Sequence, residues 1–144
     1  MFKKILVPTD GSELSEKAVA GAIALAKPLG ASIVALTVSE PYSYSNLSEY
    51  RPEGIEEYDL RIKKVAHERL ARVEAATSAA GVAAETVQVK SFSPFEAIIQ
   101  AATDHECDVI FMASHGRKGL AAVLLGSETQ KVLTHSTIPV MVYR

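Results

Sequence analysis

A glycine-rich segment between an apolar run and a predicted helix carries the clearest chemistry in this chain. Residues 112–127 include Gly116, Gly119 and Gly126, and Ser127 follows the last of these directly. Glycine lets a backbone turn sharply and brings bare N–H groups close to a ligand. The first turn of a helix adds N–H groups without intrahelical acceptors and a partial positive charge, which suit an anion. The segment therefore predicts a phosphate cradle, although a tight connection without a ligand has a similar composition.

A second strand-to-helix turn, Thr9-Asp10-Gly11-Ser12, follows the first apolar run of the chain. In an open parallel sheet both turns lie at the carboxyl ends of strands, where such sheets bind ligands. Asp10 has two interpretations, because a carboxylate at this place either faces a ligand or caps the next helix. Ser127 has the same two interpretations at the other turn.

Length and composition predict one domain over residues 1–144. Of these residues 48% are hydrophobic, and the formal net charge is −2. That charge gives no reason to expect a nucleic acid partner. No apolar stretch approaches the ~20 residues that cross a bilayer, and no signal peptide is evident, so we expect no membrane partner. The single cysteine, Cys107, cannot form an intrachain disulfide, which favours a cytoplasmic location.

Hydrophobic periodicity predicts five strands that alternate with four helices. The strands are expected at 2–8, 32–38, 84–90, 108–113 and 138–143, and the helices at 13–27, 54–80, 94–103 and 127–134. Helices between successive strands imply a parallel sheet and a three-layer α/β/α sandwich. The strand order 3-2-1-4-5 would place the switch point between strands one and four, which carry the two turns, but spacing alone does not prove this order.

Two local patterns predict side-chain partners on the helices. Pairs four residues apart, Glu57–Arg61 and Glu68–Arg72, are expected to form ion pairs on the second helix. Ser93 begins a capping-box pattern, with Pro94 at the first helical position and Glu96 three residues after the cap.

Five runs of residues together carry a resemblance to a known family. They are Lys-Ile-Leu-Val-Pro-Thr-Asp-Gly-Ser at 4–12, Gly-Ala at 30–31, Ala-Ser-His-Gly-Arg at 113–117, Leu-Leu-Gly-Ser at 124–127 and Ser-Thr-Ile-Pro-Val-Met-Val at 136–142. Through these runs the chain resembles the universal stress protein family over essentially its whole length. The resemblance implies a Rossmann-like fold of the adenine nucleotide alpha hydrolase type and a role in the stress response.

The resemblance also implies a nucleotide-binding loop, with one departure. Family members that bind ATP carry Gly-x2-Gly-x9-Gly-Ser/Thr, and this chain matches the pattern at Gly116, Gly126 and Ser127. The first position is Ala113 instead of glycine. An alanine methyl beside the nucleotide is tolerated if Ala113 has ordinary strand geometry, but it lowers affinity if the family's glycine is needed for close approach.

Each matching position acquires an implied role at a site for ATP, ADP or AMP. Asp10 would lie near the ribose or near Mg²⁺ bound to the phosphates, and the chain would supply no metal site of its own. Glu128 would repel phosphates if it faced them, and favour the positive helix end if it faced outward. The implied binding residues are Pro8, Thr9, Asp10, Val38, Met112, Ala113, Gly116, Arg117, Gly126, Ser127, Glu128 and Thr129. Arg117 and the adjacent Lys118 either neutralise phosphate charge or only keep the loop soluble.

Dedicated catalysis is not indicated by the sequence. No pair among the four histidines has a metal-ligand spacing, and the Gly-x-Ser-x-Gly and Gly-Lys-Ser/Thr patterns are absent. At most we expect slow hydrolysis of bound ATP. We therefore expect a regulatory or protective module that binds ATP or another adenine nucleotide. The alternatives are a family member that acts by dimerisation and protein interaction without nucleotide and, more remotely, a receiver-like phosphorylation switch, for which Asp10 lacks a paired acid.

A homodimer is expected through the last strand, Ile138–Tyr143. This strand would be a sheet edge with an apolar margin that is able to pair with a second copy, and the resemblance supports pairing there. Pro139 has no N–H group and must therefore sit at a non-bonding position.

Overall fold

The computed structural model describes residues 1–43, 53–116 and 124–144. Its strands are β1 (Lys4–Pro8), β2 (Ser32–Ser39), β3 (Ala84–Lys90), β4 (Val109–Ala113) and β5 (Val140–Tyr143). Its helices are α1 (Glu13–Leu29), α2 (Ile55–Ala80), α3 (Pro94–Asp104) and α4 (Ser127–His135).

The five strands form one sheet in which every neighbouring pair is parallel, in the order β3-β2-β1-β4-β5. The predicted order and the predicted three-layer sandwich are therefore confirmed. Helices α1 and α2 cover one face of the sheet, and α3 and α4 cover the other. The switch point lies between β1 and β4, because the chain leaves these neighbours towards opposite faces.

Alternate residues of β1 enter two separate cores. Ile5 and Val7 pack with the apolar faces of α1 and α2, whereas Leu6 packs with α3 and with Val132 of α4. All three β1 residues are fully buried. A strand covered on both faces needs consecutive apolar residues, which explains the unbroken apolar run in this part of the sequence.

Three predicted boundaries are wrong by two residues, and the first is the start of β1, which begins at Lys4 instead of residue 2. Helix α1 continues through Pro28 and ends at Leu29, followed by the C-cap Gly30, which has a left-handed φ of 66°. Proline in the last turn removes only one N–H group, so the helix tolerates it there. Strand β5 begins at Val140, later than predicted, because the Ile138 N–H donates to Ser136 Oγ at 3.0 Å in a local turn.

The ion pairs predicted within α2 are replaced by pairs to residues outside it. Arg61 binds both carboxylate oxygens of Glu53, at 2.8 and 3.1 Å, and Arg72 pairs with Glu16 of α1. An acidic residue that is bound through two hydrogen bonds, or that lies on another element, competes well for the arginine. An acidic neighbour four residues away stabilises a helix by only about 0.2–0.5 kcal/mol.

Gly21 of α1 permits a close contact with the end of β5. A Cβ atom at Gly21 would lie 2.8 Å from Tyr143 Cε2 and 3.2 Å from Phe111 Cζ. Gly21→Ala should therefore destabilise the protein by about 1 kcal/mol, because overpacking outweighs the gain in helix propensity. With Tyr143→Ala in the background the same change should cost less, because the contact to Tyr143 is gone and only that to Phe111 Cζ remains. Urea unfolding of the four variants measures this difference, and equal effects in both backgrounds would contradict the contact to Tyr143.

Candidate functional site

The two predicted turns meet at the switch point. The Asp10 carboxylate at the end of β1 lies against Gly116, and a Cβ atom at Gly116 would fall well inside 3.0 Å of Asp10 Oδ2. A side chain at position 116 would therefore force the Asp10 carboxylate to move. The two segments that carry the candidate chemistry meet at the carboxyl edge of the sheet beside the switch point, where open parallel sheets form a ligand crevice.

Backbone and side-chain bonds define the turn between β1 and α1. The Thr9 N–H donates to the Leu36 carbonyl at 2.8 Å, which ties the end of β1 to β2. Asp10 Oδ1 accepts a hydrogen bond from the Ser12 N–H at 2.9 Å, and Ser12 Oγ accepts from the Ser15 N–H at 3.2 Å. Ser12 is therefore the residue that caps α1, and Asp10 stabilises the turn before it.

The Gly126 amide is not available to a ligand, contrary to the expectation for this residue. Gly126 is the N-cap of α4, and its N–H donates to the Ser114 carbonyl at 2.8 Å. Its lack of a side chain is needed for space, since a Cβ atom there would lie 3.0 Å from His115 Cα. Helix geometry leaves the N–H groups of Ser127 and the next two residues without intrahelical acceptors, so a set of anion donors remains in the first turn of the helix.

Two side chains that were expected near phosphates bind other parts of the protein. The buried Thr129 hydroxyl donates to the Ala113 carbonyl at 3.1 Å. Glu128 Oε2 accepts a hydrogen bond from the Phe95 N–H at 2.9 Å, in the first turn of α3. Glu128 therefore caps the amino end of α3. Ser93, which was predicted to cap α3, makes no side-chain cap bond. What Glu128 and Thr129 retain for a ligand is their backbone amides.

Ala113 has ordinary strand geometry at the position where the family pattern has glycine. It is the last residue of β4, pairs with Tyr143 and is 8% exposed. Its side chain packs in the core on the α1 and α2 side. The methyl group is therefore accommodated by the fold, which is the condition under which the departure is tolerated.

The remaining predicted residues divide between the crevice edge and the undescribed part of the chain. Pro8 is half-buried at the end of β1, Val38 is half-buried near the end of β2, and Met112 is buried in β4. These three positions line the carboxyl edges of three adjacent strands. Arg117 and Lys118, the predicted cations, lie outside the described residues.

Sequence reasoning did not single out Ser114 or Phe95 as parts of this arrangement. Ser114 contributes a carbonyl to Gly126 and donates its own N–H to Tyr143 O at 2.8 Å. Phe95 contributes a backbone N–H to Glu128. Both act through backbone atoms, which leave no signature in residue type.

A separate groove of about 350 Å³ lies between α1 and α2. It has an apolar floor that includes Val19 and Ile23, and the Arg72–Glu16 ion pair is part of its wall. Thr9 and Gly11 also line it, so this groove in the α1–α2 layer reaches the turn between β1 and α1 that borders the crevice.

Redox, metal and membrane chemistry gain no support in the described residues. Burial raises the pKa of the Cys107 thiol to about 11, which keeps it protonated and poorly nucleophilic at neutral pH. Among residues 1–43, 53–116 and 124–144, no three His, Cys, Asp or Glu side chains cluster as metal ligands. No helix in the same ranges combines the length and apolarity that a bilayer crossing requires.

Comparisons with known proteins point to one family. The model of the universal stress protein family matches residues 1–144. A universal stress protein of Thermus aquaticus is 34% identical, with all of both chains covered. Protein MJ0577 of Methanocaldococcus jannaschii superposes with a TM-score of 0.83 at 30% identity, covering 99% of this chain and 95% of that one. The universal stress protein from Archaeoglobus fulgidus in complex with dAMP superposes with a TM-score of 0.71 at 17% identity, covering 99% and 98%.

Proposed function

The chain belongs to the universal stress protein family, and from that premise we propose that it binds an adenine nucleotide in the crevice between β1 and β4. The observation that carries this proposal is the approach of Asp10 to Gly116, which joins the two turns at the switch point. The structure of a relative of the same fold in complex with dAMP supports the ligand class. The protein acts as a nucleotide-responsive binding module.

The first turn of α4 is the proposed phosphate site. The N–H groups of Ser127, Glu128 and Thr129 are the donors that the helix itself does not use. A phosphate there also gains from the positive end of the helix. Asp10 stands on the opposite side of the crevice, near the ribose or near Mg²⁺ carried by the nucleotide. ATP, with ADP and AMP as alternatives, is the proposed ligand, and hydrolysis is at most slow.

Two measurements test nucleotide binding directly. Native mass spectrometry of the purified protein should detect a co-purified adenine nucleotide. Titration calorimetry with ATP, ADP and AMP, each with and without Mg²⁺, should then give dissociation constants below about 1 mM, which corresponds to about 4 kcal/mol of binding free energy. Absence of both a co-purified nucleotide and a measurable heat with any of these ligands would contradict the proposal.

A second candidate function is a module that acts by dimerisation without a nucleotide. It is favoured by the Gly126 amide, which is already bonded to Ser114, and by Ala113 at a family glycine position. The calorimetric titration separates the two candidates, because this second function predicts no nucleotide binding together with an intact dimer.

Ala113→Gly tests whether the alanine limits the site. The change should destabilise the protein by about 1–2 kcal/mol, because it removes a buried methyl group and loosens a strand. Nucleotide affinity should stay the same or increase, since the variant restores the pattern of ATP-binding relatives. Urea unfolding and calorimetry on the same sample measure both effects. A clear loss of affinity in folded protein would show that the loop is misinterpreted.

A homodimer through β5 is part of the proposal. β5 is the outer strand of the described sheet, and its exposed side chain Met141 is apolar. The Pro139 carbonyl accepts a hydrogen bond from Ile110 of β4, and the Tyr143 carbonyl accepts one from Ser114, which directly follows β4. Because backbone groups alternate along a strand, Val140 and Val142 present theirs to the open edge. The proline ring therefore removes no donor from the proposed interface.

A further inference from the structure

Within the described residues, three hydrogen bonds tie the first turn of α4 to the end of β4 and to α3. The Gly126 N–H donates to Ser114 O at 2.8 Å, and Thr129 Oγ1 donates to Ala113 O at 3.1 Å. Both of these bonds lead to the end of β4. The third joins Glu128 Oε2 to the Phe95 N–H at 2.9 Å and leads to α3 instead.

The third bond lies within the packed contact between α3 and α4, around Phe95. Glu128 Oε1 lies 3.4 Å from Lys131 Nζ, and that ammonium lies 5.6 Å from the centre of the Phe95 ring. The His135 ring packs against the Phe95 ring, with ring centres 5.1 Å apart. Pro94 begins α3 and has no N–H, so Phe95 offers the first backbone donor of that helix to Glu128.

We propose that Glu128 is a positioning residue for the nucleotide site, an inference that rests on the function proposed above. Two of the three bonds tie this turn to the end of β4, and the bond from Glu128 ties it to α3 as well. An attachment to a second element further restricts the orientation of the turn. The amides of the α4 first turn are then fixed before a phosphate arrives, which lowers the ordering cost of binding.

The position of the Glu128 carboxylate also resolves a conflict of charge. A carboxylate aimed at the phosphates would repel them, but here its two oxygens are engaged by Phe95 and Lys131. The negative charge instead favours the amino end of α3, where a cap is otherwise missing. One side chain thus caps α3 and orients α4 without contacting the nucleotide.

Two variants of Glu128 separate its charge from its hydrogen bond. Glu128→Gln and Glu128→Ala both remove the negative charge, but only glutamine keeps an oxygen that accepts from Phe95. Calorimetry with ATP and with AMP should find the alanine variant about three- to tenfold weaker than the glutamine variant, the range of one net hydrogen bond. Glu96→Ala is the control, because this exposed acid lies in the first turn of α3 and its loss should leave affinity unchanged.

Hydrogen exchange at the Phe95 amide gives a readout that needs no nucleotide. Exchange should accelerate in Glu128→Ala and stay near the wild-type rate in Glu128→Gln. Equal affinities of the two variants, in a protein that does bind nucleotide, would overturn the positioning role and leave the proposed function standing. A wild-type protein that binds no nucleotide would overturn the proposed function and the ligand part of this inference, while Phe95 exchange would still decide whether the α3–α4 bond exists.

Discussion

Gly126→Asp should abolish nucleotide binding, with a loss of about 100-fold or more, while the protein stays folded. Position 126 is the N-cap of α4, the place where an aspartate accepts hydrogen bonds from the second and third helical amides. Those amides belong to Glu128 and Thr129 and are the proposed phosphate donors. The new carboxylate would therefore occupy the site as an internal anion and repel the phosphate at the same time.

Secondary structure should survive this change because aspartate favours a helix start. The structural cost is local, since the added Cβ atom would lie 3.0 Å from His115 Cα and 3.1 Å from His115 Cβ. Calorimetry with ATP measures the binding loss, and circular dichroism with urea unfolding measures the fold.

Two matched variants separate the causes of the loss. Gly126→Ala adds the same Cβ contact without a cap or a charge, and should weaken binding by about tenfold or less. Gly126→Asn adds a cap of the same shape without the charge, and should fall between alanine and aspartate. If all three variants keep wild-type affinity, the phosphate does not bind at the start of α4.

Val142→Pro should convert the proposed homodimer to a monomer. Proline removes the N–H that we infer to point away from β4, so the ladder inside the sheet keeps its bonds while the open edge loses a donor. In a two-fold symmetric interface the loss occurs twice, and the dissociation constant should rise by about 100-fold or more.

Sedimentation velocity at micromolar concentration measures the association state of this variant. Val142→Thr is the control, because threonine is branched at Cβ like valine and keeps the N–H group, so it should remain a dimer. Wild-type protein that sediments as a monomer would rule out the dimer, and a dimeric Val142→Pro variant would place the interface elsewhere.

The helices and strands and their succession along the chain were predictable because they depend on patterns that are local in the sequence. The bounds of β3 were predicted without error, and α2 differs from its prediction by one residue at its start. Consecutive apolar residues such as those in β1 required a strand covered on both faces, and alternation of strands and helices required parallel pairing. Where these rules misplaced a boundary, as at Pro28, the error was confined to one or two residues at an element's end.

Hydrogen-bond partners in the candidate site were decided only when distant elements came together. The residue type at position 128 indicated a negative charge near the cradle. The packing of α3 against α4 directs the Glu128 carboxylate to the amino end of α3 instead. The same holds for the Gly126 amide, which bonds to Ser114, and for the Arg72 partner, which lies on α1.

The sequence by itself determined the family, the layered sheet and the two turns that border the crevice. Tertiary structure decided which donors of the α4 first turn remain for a ligand, because Ser114 and Ala113 accept from two of the expected groups. The physical reason is the distance along the chain over which each effect acts. Hydrophobic periodicity acts over a few residues and is written in their types, whereas a hydrogen bond such as Phe95 to Glu128 joins atoms whose distance only the folded packing sets.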